Sequence, residues 1–463
     1  MSNKKSLVLV LISQIVSLGV NLSKVLVIPF LIGVNSFSYW QLFVFYSSLV
    51  GFFQFGINDG IYLRYVGKKI NRFSKRMLTS QFKILVGSQI CISILLVIIS
   101  NFLFYGDRLY IFILLSFYLL ITGTLAFFWF YYQAANEIKK YVRIIMIEKI
   151  MFLFISFLFF ISEESVDFYT FIFSEIISKT IVLLVCLYLE RDIWNYEKKI
   201  PPHAFNELKK NMSAGLNLML ANISSMLIIG SFRFVIDLKW TLKDFGEVSF
   251  SLTIISMFLI LMNSITIVIF PALKTINDSQ KKVSFINIES KIDLLFPLLI
   301  LIYFPMKNIL IHAFEDYHAS ILYLSILYPI IYLEMKNQLL ISTFYKVLRK
   351  EKDLLKVNLL SLIISFVCSI IVYIFIENLK ISLMLILLCV TAKYLLGTIY
   401  FKIYFCEVKI KIILYCVLNI LSIIGVCIFI RNETMVSFSL SIIFSLLPLM
   451  NRLKIKKRNE AII

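Results

Sequence analysis

Long apolar runs set the pattern of this chain. Residues 6–23, 84–106, 109–136, 211–232, 248–273, 357–376 and 412–430 contain no Asp, Glu, Lys, Arg or His. At 1.5 Å of rise per residue, each run approaches or exceeds the ~30 Å hydrocarbon layer of a bilayer. Apolar segments with one or two charges fill the intervals between them. The pattern predicts fourteen spans, at 6–32, 39–64, 82–105, 109–136, 141–161, 168–189, 212–237, 245–273, 292–314, 320–344, 354–376, 381–405, 410–430 and 435–451. Glu148 and Lys149 interrupt the fifth, and the last is short, so twelve spans is the alternative count.

The expected fold class is an all-α integral membrane protein with two six-helix lobes around a central cavity and a C-terminal helix pair. The longest hydrophilic connection, 190–211, contains Pro201-Pro202 and separates the first six spans from the rest. The expected domains are 1–200 for the N-terminal lobe, 201–406 for the C-terminal lobe, and 407–463 for an added pair with a basic tail. Laying residues 11–29 over 220–238 aligns the first span of each lobe and puts Lys24 on Arg233. Parallel repeats of this kind are one plan on which transporters are built.

Composition agrees with the pattern. Of 463 residues, 60% are hydrophobic and 16% charged, and mean hydropathy is +0.90. A soluble chain sits near ~45–50% apolar and ~25% charged, so a soluble core and disorder are both excluded. No removable signal peptide is expected, because the first apolar run has no small-residue cleavage site and its pattern continues to Ile32. The seven cysteines show no CxxC spacing, so metal binding and disulfides gain no support.

The net charge of +19 is explained by topology. With the N terminus inside, the outer side of the fourteen-span layout carries only Arg108, Lys239, Lys243, Lys307, Lys380 and Arg431 among the 46 Lys and Arg. That asymmetry follows the positive-inside rule and places both termini in the cytoplasm. Runs such as Lys68-Lys69 and Lys456-Lys457-Arg458 therefore read as topology signals and contacts to membrane lipids, and not as a nucleic-acid surface.

Motifs for a primary pump or a hydrolase are absent. There is no GxxxxGK[ST], since Tyr62 stands where the first glycine before Gly67-Lys68 belongs, and there is no HExxH or GxSxG. His312 and His318 flank Glu315-Asp316, a cluster that reads as a solvated loop and not a metal site. No cofactor is expected. The acidic loop pairs, Glu163-Glu164 and Glu315-Asp316, are too short to build a polyprenyl-sugar enzyme, so catalysis is not expected.

Charges inside spans are costly and usually face a cavity. They are Lys24, Glu148, Lys149, Glu175, Lys179, Arg233, Glu334, Lys336 and Lys393. Glu175 and Lys179 are four residues apart on one helix and can neutralise each other. Glu148 and Lys149 can snorkel to a boundary. Glu334 and Lys336 are two apart, so they do not face each other and one can line a cavity. Lys24, Arg233 and Lys393 read as lone cations that bind an anion in the cavity, with snorkelling to the outer interface as the alternative for Lys24 and Arg233. Lys and Arg both suit phosphate. Glu175 and Glu334 are the candidate carriers of a coupling cation.

Residues 55–69 read FGINDGIYLRYVGKK at the inner end of the second span. Asp59-Gly60 reads as a hinge at a cytoplasmic entrance, with Arg64 meeting an anionic headgroup; the alternative is a helix end with anchors. This stretch, following FSYWQLFVFYSSLVGFFQ at 37–54, resembles the second helix of Wzx-type O-antigen and capsule flippases of the multidrug/oligosaccharidyl-lipid/polysaccharide exporter superfamily. Residues 232–255, FRFVIDLKWTLKDFGEVSFSLTII, are similar to that family's basic helix end, short loop and aromatic-glycine opening. Many such flippases have twelve spans, so 410–451 is an addition to the family plan or a miscount.

The resemblance implies translocation of an undecaprenyl-diphosphate-linked oligosaccharide across the bacterial cytoplasmic membrane by alternating access. It implies pyrophosphate binding by cavity cations, Lys24 and Arg233 first, and partnership with polysaccharide polymerase and glycosyltransferases. A multidrug/cation antiporter of the same fold is the runner-up, and a polyprenyl-sugar polymerase or glycosyltransferase the enzymatic alternative. A cationic substrate calls for an acidic cavity, and the charge excess within the spans is basic.

Overall fold

The computed structural model describes residues 2–65, 72–162, 166–194, 201, 203–405, 421–423, 425–426 and 439–448. Every regular element among them is helical. The chain divides into two compact units, Met1–Ile223 and Ser224–Ile463. The division falls inside the helix Ala204–Lys239.

The first unit holds α1 (Ser2–Ser48), α2 (Ile57–Tyr65), α3 (Arg72–Leu103), α4 (Gly106–Ala134), α5 (Ile138–Ser162), α6 (Phe168–Leu189), the short α7 (Arg191–Trp194) and the start of α8 (Ala204–Lys239). The loop expected between the first two spans is replaced by one residue. Gly33 has φ 68° and ψ 176°, a conformation that glycine alone adopts without strain, and helix resumes directly after it. Pro29 further weakens the helix just before that point. A 3₁₀ turn, Leu49–Gln54, ends α1, and Phe55 and Gly56 both take positive φ before α2 begins.

Helix α4 is the centre of the first unit, with most of its length buried. Phe82 of α3 packs against Phe127 and Phe128 of α4, at 5.0 and 5.5 Å between ring centroids. Leu125, Tyr132, Ile144 and Val182 complete that core. By contrast α3 and α5 expose Ile94, Leu95, Phe102, Phe154 and Phe157. A polar solvent would penalise such faces, and acyl chains would not.

The second unit holds the rest of α8, then α9 (Leu242–Thr275), α10 (Asp278–Ala313), α11 (His318–Leu327), α12 (Ile330–Met335), α13 (Thr343–Val347), α14 (Glu351–Phe375) and α15 (Leu379–Phe405). A capping box starts α9: Thr241 and Asp244 exchange side-chain and backbone hydrogen bonds. The predicted tenth span is broken. It bends by 51° between 315–327 and 330–347, and Lys336–Ser342 is a π-helix. Pro329 at the bend supplies no amide hydrogen to its helix. Stacked Phe296 and Tyr332, 4.0 Å apart, lie at the heart of this unit.

Among the described residues nine helices are long and apolar enough to cross a membrane, or ten with the bent pair counted as one span. Helix α9 covers the predicted span 245–273. A short apolar helix, Ser439–Pro448, falls within the predicted 435–451, while most of 410–430 lies outside the described residues. The chain is a multi-pass, all-α membrane protein; the count of fourteen spans is not reproduced within what is described.

Candidate functional site

Five of the nine charges singled out within the spans meet in the first unit. Lys24 of α1 donates to Glu175 of α6. Lys179, one turn along α6, lies 3.5 Å from Glu175 and donates to Glu148 of α5 at 2.7 Å. Lys149 stands 3.4 Å from Glu148. The i,i+4 spacing puts Glu175 and Lys179 on one face of α6, as the sequence indicates. Ser174 and Ser178 are fully buried and return their hydroxyls to the carbonyls of Thr170 and Glu175. Aromatic faces complete the setting: Lys24 is 3.9 Å from the Phe152 centroid. Lys179 is 5.5 Å from the Tyr118 and Trp129 centroids. Lys24 is therefore not the lone cation the sequence reading expects, because its partner sits on a helix far away in the chain.

The cluster is graded in exposure. Lys24 and Lys149 side chains are 17% and 20% exposed, while Lys179 and Glu148 are 5% exposed. Three ammonium groups share two carboxylates, so the cluster carries one surplus positive charge.

The second unit holds two buried pairs. Lys393 of α15 donates to Glu334 of α12 at 2.9 Å and to the Ser225 hydroxyl at 3.0 Å. Lys336, at the start of the π-helix, lies 2.7 Å from Asp293 of α10 with both side chains wholly buried. The Tyr332 hydroxyl donates to the same carboxylate at 2.9 Å, and the Tyr332 ring faces the ammonium at 4.4 Å. Glu334 and Lys336 turn to different partners, as their spacing requires. Lys393, too, is paired and not alone. Asp293, at the second position of the predicted span 292–314, is a charge the sequence analysis does not single out, and Asp237, four residues after Arg233, is another. The i,i+4 relation of Asp293 to Glu289, also buried, was the available signal.

Arg233 of α8 donates to the Ser249 hydroxyl of α9 at 3.0 Å and lies 5.2 Å from the Phe245 centroid. Asp237, four residues on along the same helix, acts on it electrostatically. Arg233 is thus also not isolated. Within the first unit Arg64 donates to the Glu207 carboxylate at 2.8 Å and to the Asn211 amide oxygen at 2.5 Å. Asp59 and Gly60, the expected hinge, lie inside α2, and the positive-φ break in the backbone falls before them, at Phe55 and Gly56. Gly60 is inside α2 and is a contact residue: a Cβ there would lie 1.9 Å from the Asn211 carbonyl oxygen. A Cβ on Gly215 would lie 2.0 Å from the Gly56 carbonyl oxygen. Backbone therefore touches backbone where α2 meets the start of α8, as small residues permit. Among the described residues no group of three or more His, Cys, Asp or Glu is placed to hold a metal ion.

No family model matches the sequence, and no curated protein does. Solved structures do match in fold. One is an inward-facing multidrug resistance MATE family transporter of the MOP superfamily, with TM-score 0.63 and 13% identity over 86% of this chain and 95% of that one. A second is a MOP superfamily transporter from Pyrococcus furiosus, described by the reverse polarity of its binding pocket, with TM-score 0.60 and 12% identity over 87% and 96% of the two chains. A third is a MATE protein in complex with MaL6, at 0.53 and 14% over 87% and 96%. The chain has the fold of MOP superfamily transporters.

Proposed function

We propose that this protein is a secondary transporter, and not an enzyme, that flips an undecaprenyl-diphosphate-linked oligosaccharide repeat unit across the bacterial cytoplasmic membrane by alternating access. Surface polysaccharide such as O-antigen or capsule is the end product, with both termini cytoplasmic. Glycosyltransferases would build the substrate on the inside and a polymerase would consume it on the outside. The observation that carries this reading is the surplus cation of the Lys24–Glu175–Lys179–Glu148–Lys149 cluster. A surplus charge only partly open to its surroundings, with Lys24 and Lys149 at 17% and 20% exposure, favours an arriving counter-charge. A diphosphate is such a counter-charge, and ammonium groups bind it as point charges. Arg233, and then Lys393 and Arg64, are the further candidate contacts to the anionic headgroup. Glu175 and Glu334 remain the candidates for cation coupling.

Deleting the gene in its host tests this reading. Loss of a flippase strands single repeat units on the cytoplasmic face of the membrane. Loss of a polymerase or glycosyltransferase instead changes polymer length or linkage. Drug sensitivity with unchanged surface polysaccharide identifies a multidrug antiporter and contradicts the proposal.

A further inference from the structure

We propose that Glu175 is an internal stand-in for the substrate's phosphate: it holds Lys24 while no substrate is bound and yields it to an anionic diphosphate. This deepens the reading above and rests on it. Glu175 is the carboxylate through which α1 joins the cluster. One of its oxygens receives Lys24 and the other faces Lys179 at 3.5 Å. Lys179 in turn is anchored by Glu148 at the shorter 2.7 Å. The Lys179–Glu175 contact is therefore slack and free to tighten when Lys24 leaves.

Charge balance points the same way. With Lys24 removed, Lys149 and Lys179 match Glu148 and Glu175, and the remainder is neutral. Departure of Lys24 thus strands no buried carboxylate, which would otherwise be the main obstacle. Lys24 and Lys149 are the accessible cations of the cluster, at 17% and 20% against 5% for Lys179, and of the two only Lys24 is held by Glu175. Lys24 lies on the part of α1 that precedes Pro29 and Gly33, where the helical hydrogen-bond ladder is interrupted. A carboxylate that competes inside the protein lowers the apparent affinity of the same cation for an external anion. Glu175 is in this sense a positioning residue: it sets affinity and release without itself contacting substrate.

The test is a double-mutant cycle on the full chain in phosphatidylcholine nanodiscs, which carry no anionic headgroup. The probes are undecaprenyl diphosphate and inorganic diphosphate, and the readout is Kd. Glu175→Gln should bind undecaprenyl diphosphate about tenfold more tightly and Lys24→Gln about tenfold more weakly, within the usual range of site coupling. The double variant should bind no more tightly than Lys24→Gln alone. Glu175→Asp keeps the charge and shortens its reach, so it serves if the Gln variant fails to fold, and it should tighten binding to a smaller extent. A structural role alone would not raise affinity, nor make the rise depend on Lys24. Binding of both probes assigns recognition to the diphosphate itself, and binding of only the lipid form assigns it to the lipid headgroup; either supports exchange if the cycle behaves as stated. If Lys24→Gln weakens binding but neither Glu175 variant tightens it, exchange is wrong and the anion site stands. If Lys24→Gln has no effect while Lys149→Gln abolishes binding, exchange at Lys24 is wrong and the anion site stands on Lys149; if neither variant weakens binding, both fail.

Discussion

Lys336 and Asp293 form an ion pair of 2.7 Å with neither side chain exposed at all. The pair joins α10 to the π-helical segment of the broken span. A widened helical turn of this kind is often found at functional positions. Removing one partner leaves the other charged and buried, which costs about 3–5 kcal/mol. Asp293→Asn and Lys336→Met should each lower the thermal unfolding midpoint sharply in detergent. Asp293→Leu combined with Lys336→Met should recover much of that loss, because the uncompensated charge is gone.

Gly60 and Gly215 make a second prediction. A methyl group at Gly60 would meet the Asn211 carbonyl, and one at Gly215 the Gly56 carbonyl. Neither obstacle is a flexible side chain. Gly60→Ala and Gly215→Ala should reduce the yield of monodisperse protein. Gly87→Ala is the control, since a Cβ at that helical position meets nothing within 4 Å. It should be neutral, or stabilising by up to about 1 kcal/mol from helix propensity. Size-exclusion profiles of the three variants decide the matter.

Arg64 reaches the Glu207 carboxylate and the Asn211 amide oxygen together. Its planar fork makes that double engagement, and an ammonium group does not reproduce it. Arg64→Lys should therefore destabilise by about 1 kcal/mol, despite keeping the charge, given that the pair is partly open to solvent. Glu207→Gln should give a loss of similar size, read as the shift in unfolding midpoint.

Much of the helical layout was legible because hydrocarbon imposes one length scale on every apolar run. The spans at 109–136, 141–161 and 168–189 correspond to α4, α5 and α6 within a few residues. Breaks within helices were less legible. The loop expected after 32 is a single Gly33, and the backbone break before α2 is at Phe55-Gly56 while Gly60 is packed inside the helix, because a glycine at a turn and a packing glycine look alike in sequence. Pairing between helices was the least legible. Glu175–Lys179 is written in its own i,i+4 spacing, whereas Lys24 finds Glu175, and Lys393 finds Glu334, only through tertiary packing. Neighbours on the same helix do not reveal such partners, so Lys24 and Lys393 look like lone cations in the sequence although each is paired.

Orientation gives another prediction. The proposed cytoplasmic N terminus would put the α3–α4 connection around Tyr105 outside and the α4–α5 connection around Asn136 in the cytoplasm. Single cysteines introduced at those two positions, in a background lacking the native ones, should react oppositely. The Tyr105 site should label with a membrane-impermeant maleimide in intact cells. The Asn136 site should label only after permeabilisation.

The most direct measurement is leaflet distribution in proteoliposomes containing a fluorescent lipid-diphosphate sugar, read by quenching from outside. The wild-type chain should equilibrate the probe between leaflets, and Lys24→Glu, which turns the cluster's surplus charge negative, should slow that exchange at least tenfold while the protein stays folded. Charge inversion at Arg233 should act in the same direction. Undiminished flipping by Lys24→Glu, or movement of a cationic dye in place of the lipid, would contradict an anion-carrying site in this cluster.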